Sequence, residues 1–180
     1  PAVAADMAKG AIISVILSLI AIFVYILARF RNVAFSIGSV LALTVDTLII
    51  VGMYSICWGW MPFSLEVDQT FIGAVLTAIG YSINDKVVVF DRIRENLGLY
   101  PKRETERLFN DSLNETLTRT IMTSATTLLV LLCIFFLGGD SIRSFAFAMI
   151  LGVVFGTLSS IFLAAPIAFR TLGKKRIIEA

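Results

Sequence analysis

The sequence predicts an all-α integral membrane protein, a bundle of five transmembrane helices, and three observations lead there. The composition is 58% hydrophobic with a mean hydropathy of +0.91, beyond the range of an ordinary soluble domain. Five apolar stretches match the length of about 20 residues that a helix needs to cross a bilayer. The basic residues alternate sharply from one loop to the next, as they do in multi-pass membrane proteins. Residues 1–180 read as a single transmembrane domain.

The first span covers about 10–28 and stops at RFRN, where Arg29 and Arg31 form a stop-transfer flank. No initiator Met or charged leader precedes it and no small-residue cleavage pattern follows, so the chain reads as the later part of a longer protein. The second span, about 33–57, carries Asp46 at its middle in LALTVDTLII. The loop GWMPFSLEVDQ has no Lys or Arg, and Trp58, Trp60 and Phe63 are expected to anchor it at a membrane interface. The third span, about 70–91, contains FIGAVLTAIG and VVVF, with Asn84, Asp85 and Lys86 between them. A polar loop is expected over 92–118, broken by Gly98 and Pro101, with a short amphipathic helix whose apolar positions are Leu108, Leu113 and Leu117. The fourth span, about 119–137, opens on Arg119 and a run of hydroxyl residues; the fifth, about 144–169, holds Pro166 near its end.

Charge sets the orientation. Arg29, Arg31, Arg92, Arg94, Lys102, Arg103, Arg107, Arg170, Lys174, Lys175 and Arg176 fall on one side, eleven of 15 basic residues. Lys9 and Arg143 fall on the other. The positive-inside rule then puts the N-terminus outside and the C-terminus in the cytoplasm.

Composition also narrows the chemistry. There is no histidine, so the commonest metal ligand is missing. Cys57 and Cys133 lie in or at the end of apolar spans and read as packing residues. No metal, cofactor or nucleic acid is expected, and no loop is large enough for a catalytic domain. Gly152 and Gly156 form a GxxxG in the fifth span, and Gly73, Thr77 and Gly80 are expected to pack similarly in the third.

The polar residues inside the spans are the candidates for function. An acid in a membrane span costs about 2.5–3.5 kcal/mol on insertion scales, and such residues face a partner, a cavity or an ion path. At about 100° per residue, Asn84 and Asp91 nearly share a face, while Asp85 shares its stripe with Tyr81, Ser82 and Val89. This broad polar face is expected to look into the bundle. Arg119, Thr123 and Thr126 make a stripe on the fourth span, and an Asp85–Arg119 contact is the natural pairing. Such a pair is either a proton-sensitive switch or a permanent ion pair that fixes helix packing. Asp46 is open between the same readings. Asp91 and Arg92 are expected to be a solvated interfacial run, and Lys86 is expected to snorkel towards headgroups.

YSINDKVVVFDRIREN (81–96) resembles the fourth-helix signature of the SecF family of bacterial protein-export membrane proteins, alone or as half of a fused SecDF. LNETLTRTIMTSATTLL (113–129) looks like the start of the family's fifth helix and VDTLIIVG (45–52) like its third. The resemblance implies an RND-type fold of six helices, here without the first helix and its periplasmic domain. It implies a bacterial plasma-membrane protein that uses the proton-motive force to promote preprotein export. Asp85 would be the titrating acid and Arg119 its partner, supported by Asp46 and Asn84. SecD, the SecYEG channel, YajC and the preprotein would be its partners. The family carries a small, apolar or hydroxylic residue after the Asn–Asp pair, and Lys86 departs from that. Three other readings stand beside it: an RND-type exporter of lipids or drugs, a scaffold for SecD, and an intramembrane aspartyl protease using Asp46 and Asp85.

Overall fold

The computed structural model describes the backbone of residues 2–179 and the side chains of residues 5–173. Lys174, Lys175 and Arg176, counted above in the basic tail, therefore lie outside the described side chains. Six α-helices follow in order: α1 (Ala2–Phe30), α2 (Val33–Cys57), α3 (Gln69–Leu99), α4 (Thr105–Leu137), α5 (Asp140–Ser159) and α6 (Ala165–Glu179). A π-helical turn, Ser160–Ala164, joins α5 to α6, so that Asp140–Gly173 makes one long span. Among the described residues, five segments are thus long and apolar enough to cross a membrane.

Local chemistry sets the helix ends. Arg31 takes a left-handed backbone, φ 51°, and its N–H caps Leu27 of α1. Asn32 then caps α2, accepting the Ala34 N–H at 2.9 Å, so the hairpin needs only two residues. Gly59, at φ 84°, turns the chain out of α2, and Asp68 caps α3 by accepting the Phe71 N–H. The loop between them defines a tryptophan end of the bundle; the opposite end, with Arg31 and the turn at 100–104, is the basic end.

Two expectations fail here. The region 92–118 is helical except for a short turn, because α3 continues to Leu99 and α4 already starts at Thr105. The extension is held by packing: Ile93 is buried, and Asn96 donates to Ser112 of α4 at 2.8 Å. The inward face there is Leu108, Ser112 and Thr116, whereas Leu117 is exposed. At the tryptophan end Trp58 and Trp60 are exposed, but Phe63 is buried against Phe135 and Phe147, with ring centroids 5.6 and 6.1 Å away. Phe63 is a core residue, not an interfacial anchor.

The π turn has a cause in the sequence. Pro166 has no N–H and cannot sit in a continuous helix without displacing the previous turn. The wide turn absorbs the mismatch, and the Ala165 N–H reaches back to the Ser160 carbonyl.

Packing is centred on α3, which lies most extensively against α5; α2 flanks both, α1 covers α2 and α3, and α4 covers α5 and α3. The glycines of α5 allow the close α3–α5 approach. A Cβ at Gly152 would overlap that of Ala78, and one at Gly156 would fall 2.6 Å from the Ser82 hydroxyl. The facing stripe on α3 is Ala74, Ala78 and Ser82. Gly73 and Gly80 meet nothing within 4 Å, so the small residues expected to pack on α3 are on the wrong face. The buried apolar side chains form two clusters. One, towards the tryptophan end, includes Leu43, Ile50, Phe71, Val75 and Val153. The other, towards the basic end, includes Phe30, Phe35, Phe90, Ile93 and Leu108.

Candidate functional site in the polar layer

Between the two apolar clusters lies a layer of buried polar groups from α2, α3, α4 and α5. It contains two separate acids. Asp46 of α2 is 2% exposed and pairs with Lys86 of α3, which is 0% exposed, at 3.0 Å. The Lys86 Nζ also donates to Ser82 Oγ at 2.6 Å and Ser159 Oγ at 2.9 Å, and faces the Gly156 carbonyl at 3.5 Å. Ser82 and Ser159 both donate to Asp46 Oδ2 at 2.8 Å. The second carboxylate oxygen, Oδ1, is buried and has no hydrogen-bond partner. Apart from that atom, the serine hydroxyls satisfy the pair, as a buried ion pair requires.

Asp85 of α3, 3% exposed, stands apart from that pair. Its Oδ2 accepts the Thr157 hydroxyl at 3.1 Å, and Thr157 is in turn 2.6 Å from the Ser124 hydroxyl of α4. Among the described residues no cation lies within ion-pair distance of Asp85. Asp85 and Lys86 are consecutive, and the helical turn of about 100° between them is what sends one towards α4 and the other towards α2.

The structure brings together only part of the predicted set. Arg119 is exposed on α4 and acts on Asp85 only at a distance. The expected Asp85–Arg119 contact is not formed, because α4 turns the smaller Thr116, Thr120 and Ser124 inward and leaves Arg119 outside. Asn84 is exposed too, so the polar face of α3 is split: Ser82, Asp85 and Lys86 look inward, while Asn84 and Asp91 look out. Lys86 does not snorkel; it finds a carboxylate inside the bundle. Asp91 pairs with Arg29 at 3.2 Å, and Arg92 with Glu95 at 2.7 Å and with Glu115, all substantially exposed.

Residues 1–174 match the family described as protein export membrane protein SecD/SecF, C-terminal. The chain belongs to this family. The protein translocase subunit SecF of Rhodothermus marinus is 50% identical over 184 residues, covering 100% of this chain and 59% of that relative. The SecF subunit of Haemophilus influenzae is 41% identical over 169 residues, covering 94% and 50%. The crystal structure of SecDF from Thermus thermophilus, described as a translocon-associated membrane protein, superposes with a TM-score of 0.83 at 40% identity, covering 98% of this chain and 23% of that one. A SecDF structure in a super-membrane-facing form gives 0.78 at 42% identity, covering 89% and 21%. The chain therefore spans about half of the curated relatives it matches. With five apolar spans, it is a multi-pass inner-membrane protein of the SecD/SecF family.

Within this SecD/SecF bundle, Thr157 is the site residue that sequence reasoning missed. Its signal was GTLSS (156–160), three hydroxyls in an apolar span just before Pro166. A hydroxyl can satisfy itself on its own helix, as Ser160 does by donating to the Thr157 carbonyl at 2.7 Å. Only the approach of α3 and α2 shows that Thr157 turns to Asp85 and that Ser159 reaches Asp46.

Proposed function

We propose that this chain is the SecF-type part of an accessory complex for protein export, and that it couples the proton-motive force to preprotein movement through Asp85. One observation carries the reading. Of the two acids in the polar layer, Asp46 is neutralised by Lys86 and Asp85 is not. A buried carboxylate that accepts a hydroxyl and, among the described residues, has no cation within ion-pair distance is the group suited to take up and release a proton in mid-membrane. Arg119 and Asn84, exposed on α4 and α3, would complete the proton site from outside the bundle when a partner helix set covers that face.

SecD, or a SecD half of the same chain, is the partner that fits, since the solved relatives carry both parts in SecDF. SecYEG, YajC and the preprotein belong to the same proposal. The chain then works as a translocation component rather than an enzyme, with its basic end in the cytoplasm and its tryptophan end outside. The test is proton flux and preprotein export in vesicles carrying the complete complex. Asp85→Asn and Arg119→Ala are each expected to abolish proton-dependent stimulation of export without loss of membrane insertion. Wild-type flux in either variant would refute the coupling role, and full export by Asp85→Asn would leave a scaffold.

A further inference from the structure

The surroundings of Lys86 are those of a bound cation. Its Nζ lies among the Asp46 carboxylate, the Ser82 and Ser159 hydroxyls and the Gly156 carbonyl, at 3.0, 2.6, 2.9 and 3.5 Å. All four are oxygens, one carries a full charge, and three helices supply them. Such a set of carboxylate, hydroxyl and carbonyl oxygens suits a hard cation as well as an ammonium. The Asp46 Oδ1 atom, buried with no partner, adds a further unused ligand. The helix geometry changes next to the site as well: Ser159 directly precedes the π turn Ser160–Ala164, and Gly156 lies one turn before it. Single π turns inside α-helices occur frequently at functional sites.

We propose that Asp46, Ser82, Gly156 and Ser159 form a monovalent-cation site that this chain closes with its own Lys86 ammonium. Lys86 is a tethered cation: it satisfies the carboxylate and keeps an exchangeable ion such as Na⁺ out of the layer. It is thereby a specificity-determining residue, because it leaves Asp85 as the acid free to exchange. The site itself does not rest on the role given to Asp85 above, and its test reads ion binding rather than export.

The experiment is equilibrium binding of radioactive Na⁺ to the purified full-length protein in detergent, with N-methylglucamine replacing Na⁺ in the controls. Wild type is expected to show no saturable binding. Lys86→Ser, which removes the tethered charge and keeps a hydroxyl, is expected to bind about one Na⁺ per chain, and Asp46→Asn in the same background to abolish it. Absence of saturable binding in a Lys86→Ser protein that elutes as wild type does would overturn the proposal. Binding that survives Asp46→Asn, or saturable binding by wild type, would overturn it equally. If Lys86→Ser is recovered folded only in Na⁺ and not in N-methylglucamine, that supports the site; if neither cation recovers it, the proposal fails.

Discussion

At the scale of single residues, the polar layer separates two acids that differ mainly in what faces them. Asp46 has the Lys86 ammonium and two serine hydroxyls; Asp85 has Thr157. Breaking a buried ion pair by removing one partner costs about 3–5 kcal/mol, because the remaining charge is stranded, whereas replacing both partners by apolar groups can be nearly neutral. Lys86→Met is therefore expected to lower stability by about that amount in Na⁺-free buffer. The double variant Asp46→Leu/Lys86→Met should recover most of the loss. Denaturant unfolding of the purified chain in detergent measures both, and equal losses in the single and double variants would contradict the argument. The conspicuous residues Asp46, Asp85, Lys86 and Arg119 were all legible as charges in apolar spans. Their pairing was not. Spacing along one helix gives angles about that helix, but the rotation of α4 relative to α3 depends on which small side chains permit close approach. That rotation put Ser124 inside and Arg119 outside.

At the scale of helices, the number of spans was legible because apolar length alone decides it. The ends of α3 and α4 were not, because the polar stretch 92–118 is helical only through contacts between its two halves, such as Asn96 with Ser112. Pro166 announced an interruption, and a π turn placed before the proline is the form it takes. Gly38 of α2 sits against that turn so closely that a Cβ would lie 2.8 Å from the Ala164 carbonyl. The GxxxG of α5 could be read as a contact surface without showing which helix it meets. With Ala78 now opposite Gly152, Gly152→Ala forces α3 and α5 apart, and overpacking of this kind costs about 1–3 kcal/mol. Gly73→Ala, with nothing within 4 Å, is expected to be neutral or slightly stabilising. Thermal melts of the two variants in the same detergent give the comparison. Equal melting temperatures would mean that α5 does not depend on its glycines for contact with α3.

At the scale of the whole molecule, the polar layer is closed at both ends. Phe71, Val75 and Ile50 lie on the tryptophan side, and Phe90, Phe35 and Ile93 on the basic side, all buried. A proton reaching Asp85 from either end would have to pass one of these apolar clusters. The outward polar residues, Asn84 and Arg119, sit on the exposed surface of α3 and α4, and their usefulness depends on a covering partner. An exposed arginine in the hydrocarbon region is costly, and partners or local water are what relieve it. The closed layer and the half-built outer face both imply that this chain alone does not conduct protons. Reconstituted by itself into vesicles with a trapped pH-sensitive dye and an imposed pH gradient, it should show no proton flux above protein-free vesicles. Co-reconstitution with a SecD partner should produce a flux that Asp85→Asn removes. A flux from the isolated chain would show that one of the apolar clusters opens without help, and the seal would then have to be sought in the partner rather than in Phe71 or Phe90.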